Sequence, residues 1–220
     1  GGPLSPLLAN ILLDEVDQEL QKRGHCFVRY ADDCNVYVGS IRAGQRVMRL
    51  LRSCYDRLKL KVNETKSAVA DVIGRQFLGY SFWVGPKATI KRRVADKAMT
   101  RFKHRIRQLT RRNRSQSLSD IIARLRSYML GWKGYFGRAQ TPGIWRRLDQ
   151  WLRHRLRAIQ LKQWKRGKTQ YRELLALGAS AHVARQIAAN ARCWWRNSAK
   201  LLNSVLTISY FDRLGLPRLS

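Results

Sequence analysis

Acidic residues are scarce in this chain: 14 Asp and Glu side chains stand against 44 Lys and Arg, which gives a formal net charge of +30. Hydrophobic residues nevertheless make up 45% of the 220 residues, so the composition excludes a disordered basic tail. A folded segment with this excess repels itself unless a polyanion neutralises it, which predicts a nucleic-acid partner. A solvated basic surface or a helix on a membrane surface is the alternative, but interleaved Trp and Tyr favour nucleic acid.

Long hydrophobic runs are also absent. No segment approaches the roughly 20 apolar residues of a transmembrane helix, and no secretory or transit segment opens the chain, so we expect no membrane association. Cys26, Cys34, Cys54 and Cys193 are scattered without a C-x-x-C pair, which argues against a structural zinc site and a disulfide framework. We therefore expect a reducing, cytoplasmic setting.

The positive charge is unevenly distributed. Residues 1–86 hold 12 basic and 9 acidic side chains, whereas residues 87–220 hold 32 and 5. The pattern changes at the same place, from mixed helix and strand to helices alone over residues 94–210, and Val84–Lys87 has the composition of a linker. We predict an α+β chain with domains at residues 1–86 and 87–220.

The first domain opens with a glycine-proline loop and a helix ending before Gly24, with Ser5 as the N-cap and Leu8, Leu12, Val16 and Leu20 on the buried face. Two short β-rich runs then flank Asp32-Asp33, which predicts a hairpin with two carboxylates at its tip. A second amphipathic helix follows. Further strands are predicted over Leu60–Val72 and Gln76–Val84.

Apolar residues recur every three or four positions in the second domain, which predicts three long helices. The first passes through Phe102 and Ile106, the second opens at Ser119, and the third follows Thr141. Shorter helices are predicted near residues 169–177 and 180–191. Their polar faces consist mostly of Arg and Lys.

The pair Asp32-Asp33 is the strongest chemical feature. Adjacent carboxylates repel each other, and Arg29 is the only cation close to them in sequence. A divalent ion would remove this repulsion, and carboxylate oxygens suit Mg²⁺, which keeps waters and substrate phosphates as further ligands. From the dipeptide alone, a turn selected for its conformational propensity is the better explanation.

The surrounding sequence favours chemistry. Tyr30-Ala31-Asp32-Asp33 between hydrophobic strands resembles the Tyr-x-Asp-Asp box of reverse transcriptases. Residues 1–11 resemble the family's Pro-Gln-Gly-Gly-Pro-Leu-Ser-Pro block without its first residues. Residues 60–67 are similar to the lysine-bearing motif, and Phe77-Leu78-Gly79-Tyr80 to the primer-grip box. Four motifs in the family order make coincidence a poor explanation.

The rest of the chain narrows the resemblance. Gly131-Trp132-Lys133-Gly134-Tyr135-Phe136 resembles the Gly-Trp-x-x-Tyr-Phe signature of the group II intron maturase domain. Leu148-Asp149-Gln150-Trp151 resembles the next helix, and residues 195–198 and 215–217 resemble the end of bacterial members. The resemblance covers essentially the whole chain, and it implies a partial polymerase palm followed by an all-α thumb and maturase domain.

The resemblance also implies roles for individual residues. Asp32 would be the metal-ligating aspartate and Asp33 a second carboxylate at the metal. Lys66 matches a lysine that protonates the pyrophosphate leaving group, although an exposed turn lysine is nearly as good an interpretation. The remaining implied roles are substrate binding at Gly2, Pro3, Ser5, Tyr30, Ala31, Phe77, Leu78 and Gly79, and RNA binding at Lys133, Arg153, Arg155 and Arg157. Helix initiation and ordinary strand packing are the alternatives for the glycine block and the primer-grip box.

The function so implied is RNA-directed DNA synthesis with Mg²⁺ and deoxynucleoside triphosphates, using template RNA and primer DNA. Assistance to splicing and mobility of an intron RNA would accompany it. A two-metal site needs a further aspartate from an earlier palm strand. Only Asp14 and Asp17 precede the box, both on the first predicted helix, so we expect this chain alone to be inactive.

Two other functions remain open at this point. A non-catalytic RNA-binding splicing factor would have no need of the intact Asp32-Asp33 pair. A reverse transcriptase of retron or CRISPR-linked lineage would have no need of the Gly131–Phe136 motif. The sequence does not indicate an oligomeric state.

Overall fold

Helices and two small antiparallel sheets make up the part of the chain that the computed structural model describes, residues 4–111, 116–199 and 201–220. The α+β fold class is therefore confirmed. The chain divides into two compact units between Val72 and Ile73. Within the described ranges, none of the helices combines the length and hydrophobicity that a bilayer crossing requires.

The first unit contains two helices and one hairpin, which are α1 (Ser5–Lys22), β1 (Cys26–Tyr30), β2 (Asp33–Tyr37) and α2 (Ile41–Arg57). Its core forms where α1 packs on α2 and the hairpin, through Leu13, Val16, Leu20, Val47 and Cys54. Ser40 begins α2, because its side chain accepts a hydrogen bond from the backbone N–H of Ala43.

Helix α1 differs from the prediction at its start. Ser5 is the first helical residue rather than the N-cap, which is Leu4. Val16 and Leu20 are buried as predicted, but Leu8 is 61% exposed and Leu12 is exposed too. Leu13 joins Val16 and Leu20 on the buried face, because only the last turns of α1 contact the core. Gly24, with φ of 70°, follows the helix end as predicted.

The second unit contains a three-stranded sheet and seven described helices. They are β3 (Gln76–Phe77), β4 (Tyr80–Val84), β5 (Ile90–Val94), α3 (Asp96–Leu109), α4 (Leu118–Phe136), α5 (Pro142–Gln163), α6 (Gly167–Ala176), α7 (Ala181–Ala189), α8 (Trp194–Asn197) and α9 (Ile208–Arg213). The strand order is β3-β4-β5, with both pairs antiparallel.

The linker predicted at Val84–Lys87 is wrong as local structure. These residues lead from β4 through a short 3₁₀ turn at Pro86–Ala88 into β5, and Gly85 N–H donates to the Thr89 carbonyl at 2.7 Å. The glycine and proline lie in a hairpin turn. The assignment of residues 1–86 and 87–220 to separate functional domains stays a prediction.

Aromatic residues fill the centre of the second unit. The Trp132 ring lies 4.1 Å from the Phe102 ring and 5.2 Å from the Trp145 ring, measured between centroids, so α3, α4 and α5 meet at this residue. On α4, apolar residues at the predicted spacing of three or four positions, including Leu125 and Met129, are fully buried. Helix α4 begins with a capping box, in which the Ser117 and Asp120 side chains bond each other's backbone N–H.

A buried carboxylate fixes the last residues of the chain. Asp149 on α5 is 1% exposed, and its oxygens accept hydrogen bonds from the backbone N–H groups of Leu219 and Ser220 and from the Ser220 hydroxyl, at 2.8–3.2 Å. Nearby, Arg126 donates to the Gly215 carbonyl at 3.0 Å. The segment from Gly215 to Ser220 is therefore held on α4 and α5.

We expect Asp149→Ala to lower the free energy of unfolding by about 3 kcal/mol, because charge-assisted hydrogen bonds are lost and buried N–H groups keep no acceptor. Asp96→Ala is the control, since the Asp96 side chain is 82% exposed and should contribute less than about 1 kcal/mol. Urea unfolding curves of the whole chain measure both. Equal losses in the two variants would contradict a special role for the buried carboxylate.

Candidate functional site

The Asp-Asp hairpin forms as predicted. Strands β1 and β2 pair antiparallel with Tyr30 opposite Asp33, which leaves Ala31 and Asp32 as a two-residue turn. Ala31 has φ of 52°, the left-handed conformation that such tight turns require. Asp32 therefore lies at the tip and Asp33 begins the returning strand, and both carboxylates are exposed to solvent with Tyr30 beside them.

Arg29 holds the backbone of this turn through its side chain. Its guanidinium donates to both carboxylate oxygens of Asp17 on α1 at 2.6–2.9 Å, and to the Asn10 side-chain oxygen at 2.9 Å. It also donates to the carbonyl of Ala31 at 3.0 Å. The hydrogen bonds from Arg29 to Asp17 raise the pKa of the guanidinium above its usual value. Arg29 is thus bound to Asp17 and to the turn backbone.

Sequence reasoning missed Asp17 and Asn10. It placed Asp17 on the first helix and gave it no role, whereas the structure makes it the partner of Arg29 twelve residues away. On strand β2 of the hairpin, burial, with a smaller contribution from Asp17, raises the pKa of the Cys34 thiol to about 11. This thiol is neutral at physiological pH, so it offers neither a nucleophile nor a thiolate ligand.

The two carboxylates at the hairpin tip are suitable ligands for a hard divalent cation. Mg²⁺ is commonly bound through one or two protein carboxylates, with waters and substrate phosphates as its other ligands. Among the described residues, no group of three or more His, Cys, Asp or Glu side chains is arranged to hold a metal. Two other aspartates of the first unit already have hydrogen-bond partners: Asp17 accepts from Arg29, and Asp14 accepts from Gln18 at 2.7 Å.

Lys66 lies in a turn and not on a strand. The strand predicted over Leu60–Val72 is wrong, because Asn63 bonds locally: its carbonyl and its side-chain oxygen both accept from the Lys66 N–H, at 3.1 and 3.2 Å. Glu64 pairs with Arg52 of α2 at 2.6 Å, which ties the turn to the helix. The Lys66 side chain is exposed, and its proton-transfer role stays a prediction.

In the second unit, Phe77 is the last residue of β3, and Leu78 and Gly79 form the two-residue turn of the β3–β4 hairpin. Leu78 has φ of 50° and Gly79 φ of 76°. A Cβ atom on Gly79 would lie 3.0 Å from the Phe136 ring, so the close approach of α4 requires glycine here. The Tyr135 hydroxyl donates to the Leu78 carbonyl at 3.0 Å, and the Tyr80 hydroxyl donates to the Tyr135 carbonyl. Tyr135 is a third residue, after Asp17 and Asn10, to which sequence reasoning gave no role of its own.

The other predicted substrate-binding residues are at the start of the chain. Gly2 and Pro3 lie outside the described residues. Ser5 is exposed at the beginning of α1. Their template and nucleotide binding stays a prediction, as does that of Tyr30 and Ala31.

The three arginines of α5 that were predicted to bind RNA are buried or half-buried, whereas Arg146 and Arg147 on the same helix are exposed. Arg153 and Arg157 are each 7% exposed, and Arg157 donates to the Leu206 carbonyl at 2.8 Å. Burial, with repulsion from Arg153, lowers the pKa of Arg157 to about 10. Arg155 donates to the Thr110 hydroxyl at 2.9 Å, and Lys133 donates to the Arg218 carbonyl at 2.8 Å.

Lys133, Arg155 and Arg157 thus bond to other segments of the second unit, and Arg153 is buried beside them on α5. Their RNA binding stays a prediction, and burial argues against it for Arg153 and Arg157. These arginines are buried because the buried positions of α5 extend around much of the helix. The long aliphatic stems of the arginine side chains are therefore covered by packing.

Exposed positive charge is found instead on α3. Lys97, Arg101 and Arg105 recur every four residues on its solvent face, opposite the buried Phe102 and Ile106. An open cleft of about 280 Å³ adjoins this face and is lined by Arg105, Gln108, Leu109, Arg111 and Arg124. A helix face with regularly spaced cations matches the repeating charge of a nucleic-acid backbone.

Two family models match the chain. Residues 1–82 match the model described as reverse transcriptase (RNA-dependent DNA polymerase), which includes the Asp-Asp hairpin, Lys66 and the Phe77–Gly79 turn. Residues 99–178 match the group II intron, maturase-specific domain, which includes most of α3 and all of α4 and α5. Among curated proteins, no significant match is found. The two matched segments follow the order in which the motifs occur.

Proposed function

Since the chain belongs to the family of group II intron reverse transcriptases and maturases, we propose that it acts in RNA-directed DNA synthesis and assists splicing and mobility of its intron RNA. The observation that carries the proposal is the exposed Asp32-Asp33 pair at a tight hairpin tip, within a segment that matches reverse transcriptases. Template RNA, primer DNA, intron RNA and deoxynucleoside triphosphates are the proposed partners.

Reverse transcriptases generally use a divalent metal, and we propose Mg²⁺. When bound, the ion would lower the barrier to attack by the primer 3′-hydroxyl and stabilise the departing pyrophosphate. Asp32 and Asp33 would hold it, because the turn presents both carboxylates to solvent. Arg29 would keep the turn in place through the Ala31 carbonyl, and Lys66 would donate a proton to the leaving pyrophosphate.

A splicing factor without polymerase activity is the rival that the experiments must separate. Such a protein would bind intron RNA through the basic second unit, and substitution at Asp32 would leave its function unchanged. DNA synthesis and splicing are therefore measured on the same variants, so that each activity is assigned to its own residues.

We expect the purified 220-residue chain alone to give no primer extension on an RNA template. Asp17 on α1 is paired with Arg29, and the proposed chemistry needs a further carboxylate. The test is a primer-extension assay with Mg²⁺, with the Asp32→Asn chain as the control for contaminating polymerase. Extension by the wild-type chain that the control lacks would refute this expectation.

A further inference from the structure

Two tyrosines connect the Phe77–Gly79 turn to the Gly131–Phe136 motif through a reciprocal pair of hydrogen bonds. The Tyr135 hydroxyl donates to the Leu78 carbonyl at 3.0 Å, and the Tyr80 hydroxyl donates to the Tyr135 carbonyl. Their rings lie 6.1 Å apart between centroids, and the Tyr80 ring is 5.3 Å from that of Phe136. Two motifs separated by more than fifty residues thus share one contact.

The turn needs this support, because its own hairpin offers little. Strand β3 has two residues, and only Gln76 and Phe77 pair with β4. Leu78 adopts φ of 50°, a left-handed conformation that is unfavourable for a residue with a side chain and persists where surrounding contacts enforce it. Besides the Tyr135 hydroxyl, the Ala95 N–H donates to the Gly79 carbonyl at 2.8 Å.

The surroundings of the two tyrosines suit a nucleic-acid strand. Tyr135 is 54% exposed although its hydroxyl is bonded, and Leu78 is exposed beside it. Arg92 and Arg138 are exposed, and both are near enough to the Tyr80 hydroxyl to act on it electrostatically. An exposed aromatic ring, an apolar side chain and two cations are the groups that bind bases and phosphates of a single strand end.

We propose that Tyr135 and Tyr80 are positioning residues that hold the Leu78–Gly79 turn where it receives the 3′ end of a primer strand. This inference rests on the proposed function, which assigns primer binding to Phe77–Gly79. Tyr135 belongs to the Gly131–Phe136 motif that is typical of the maturase domain, and under this proposal the motif also contributes to DNA synthesis. Arg92 and Arg138 would bind the phosphates next to the primer terminus.

The test uses the whole chain and a DNA primer annealed to an RNA template, with 4-thiothymidine at the primer 3′ end. After irradiation and trypsin digestion, the wild type should crosslink in the peptide that spans residues 76–87, since trypsin cuts after Arg75 and Lys87. Tyr135→Phe removes only one hydroxyl, and we expect it to lower this crosslink about fivefold, as the loss of one hydrogen bond implies. Tyr80→Phe should have a similar effect.

Total affinity for the duplex should stay within about twofold in both variants, because the charges that dominate it are unchanged. Tyr171→Phe on α6 is the matched control and should crosslink as the wild type does. An undiminished crosslink in both Tyr135→Phe and Tyr80→Phe overturns the positioning role alone. A wild-type chain that crosslinks elsewhere overturns primer binding at this turn, and with it the inference.

Discussion

Replacing Asp32 by asparagine is expected to lower DNA synthesis at least about 10³-fold in an active enzyme that contains this chain. The metal that we propose at the hairpin tip would supply several kcal/mol of transition-state stabilisation, and each 1.36 kcal/mol corresponds to a factor of ten in rate. The substitution keeps the size of the side chain and removes its charge. Since Asp32 is exposed, fold and stability should be unaffected. Primer extension under single-turnover conditions measures the effect.

Asp56→Asn provides the matched control, because Asp56 is an exposed carboxylate in the last turn of α2 in the same unit. It should retain wild-type synthesis, and both variants should bind intron RNA with unchanged affinity. Normal synthesis by the Asp32 variant would mean that a different carboxylate holds the metal. Equal loss in both variants would indicate a general effect of surface charge.

The hairpin was predictable because its information is local. Alternating apolar residues define both strands, and two aspartates between them can only occupy the turn or its edge. The amphipathic helices were predictable for the same reason, since the stripe from Ile122 to Phe136 follows the helical period and is buried. Local periodicity therefore predicted these elements and the position of the two aspartates at the hairpin tip.

The contacts that support the site are long-range, and no local pattern contains them. Asp17 and Arg29 are twelve residues apart on different elements, and Tyr135 reaches Leu78 across 57 residues. Each of these residues also has an ordinary local explanation, such as a polar helix position or an interfacial aromatic. Sequence reasoning could identify the turns but not the side chains that hold them.

Arg153 and Arg157 of α5 show that a count of charged residues does not predict which of them are exposed. Arg153 and Arg157 were predicted at an RNA surface, yet each is covered, and Arg157 lies with its guanidinium 5.6 Å from the Phe211 ring centre. The sequence around them has the composition of a basic exposed face. Packing by residues 206–211, some fifty positions later, covers the helix instead. Net charge predicts a nucleic-acid partner, but it does not identify which basic residues are exposed.

The exposed face of α3 should therefore carry a large share of the RNA affinity. The unit from Ile73 to Ser220 holds 33 Lys and Arg against 5 Asp and Glu, whereas residues 1–72 hold 11 against 9. Each phosphate contact lowers log affinity by about 0.7–0.9 per unit of log salt, because bound counterions are released. With about 6–10 contacts, affinity for intron RNA should fall about 10³–10⁵-fold between 50 and 200 mM salt.

A triple variant with Lys97, Arg101 and Arg105 changed to Gln tests this surface. Removing up to three contacts should make the salt slope shallower by about 2–3 and weaken binding at least about tenfold at 100 mM salt. The control changes Arg42, Arg46 and Arg49 to Gln, because these residues form an exposed stripe on α2 in the first unit. Both variants lose three positive charges, so net charge alone predicts equal effects. If RNA contacts α3, the salt slope should become shallower in the α3 variant and stay unchanged in the α2 control. Equal salt slopes in the two folded variants would mean that RNA binds at another surface.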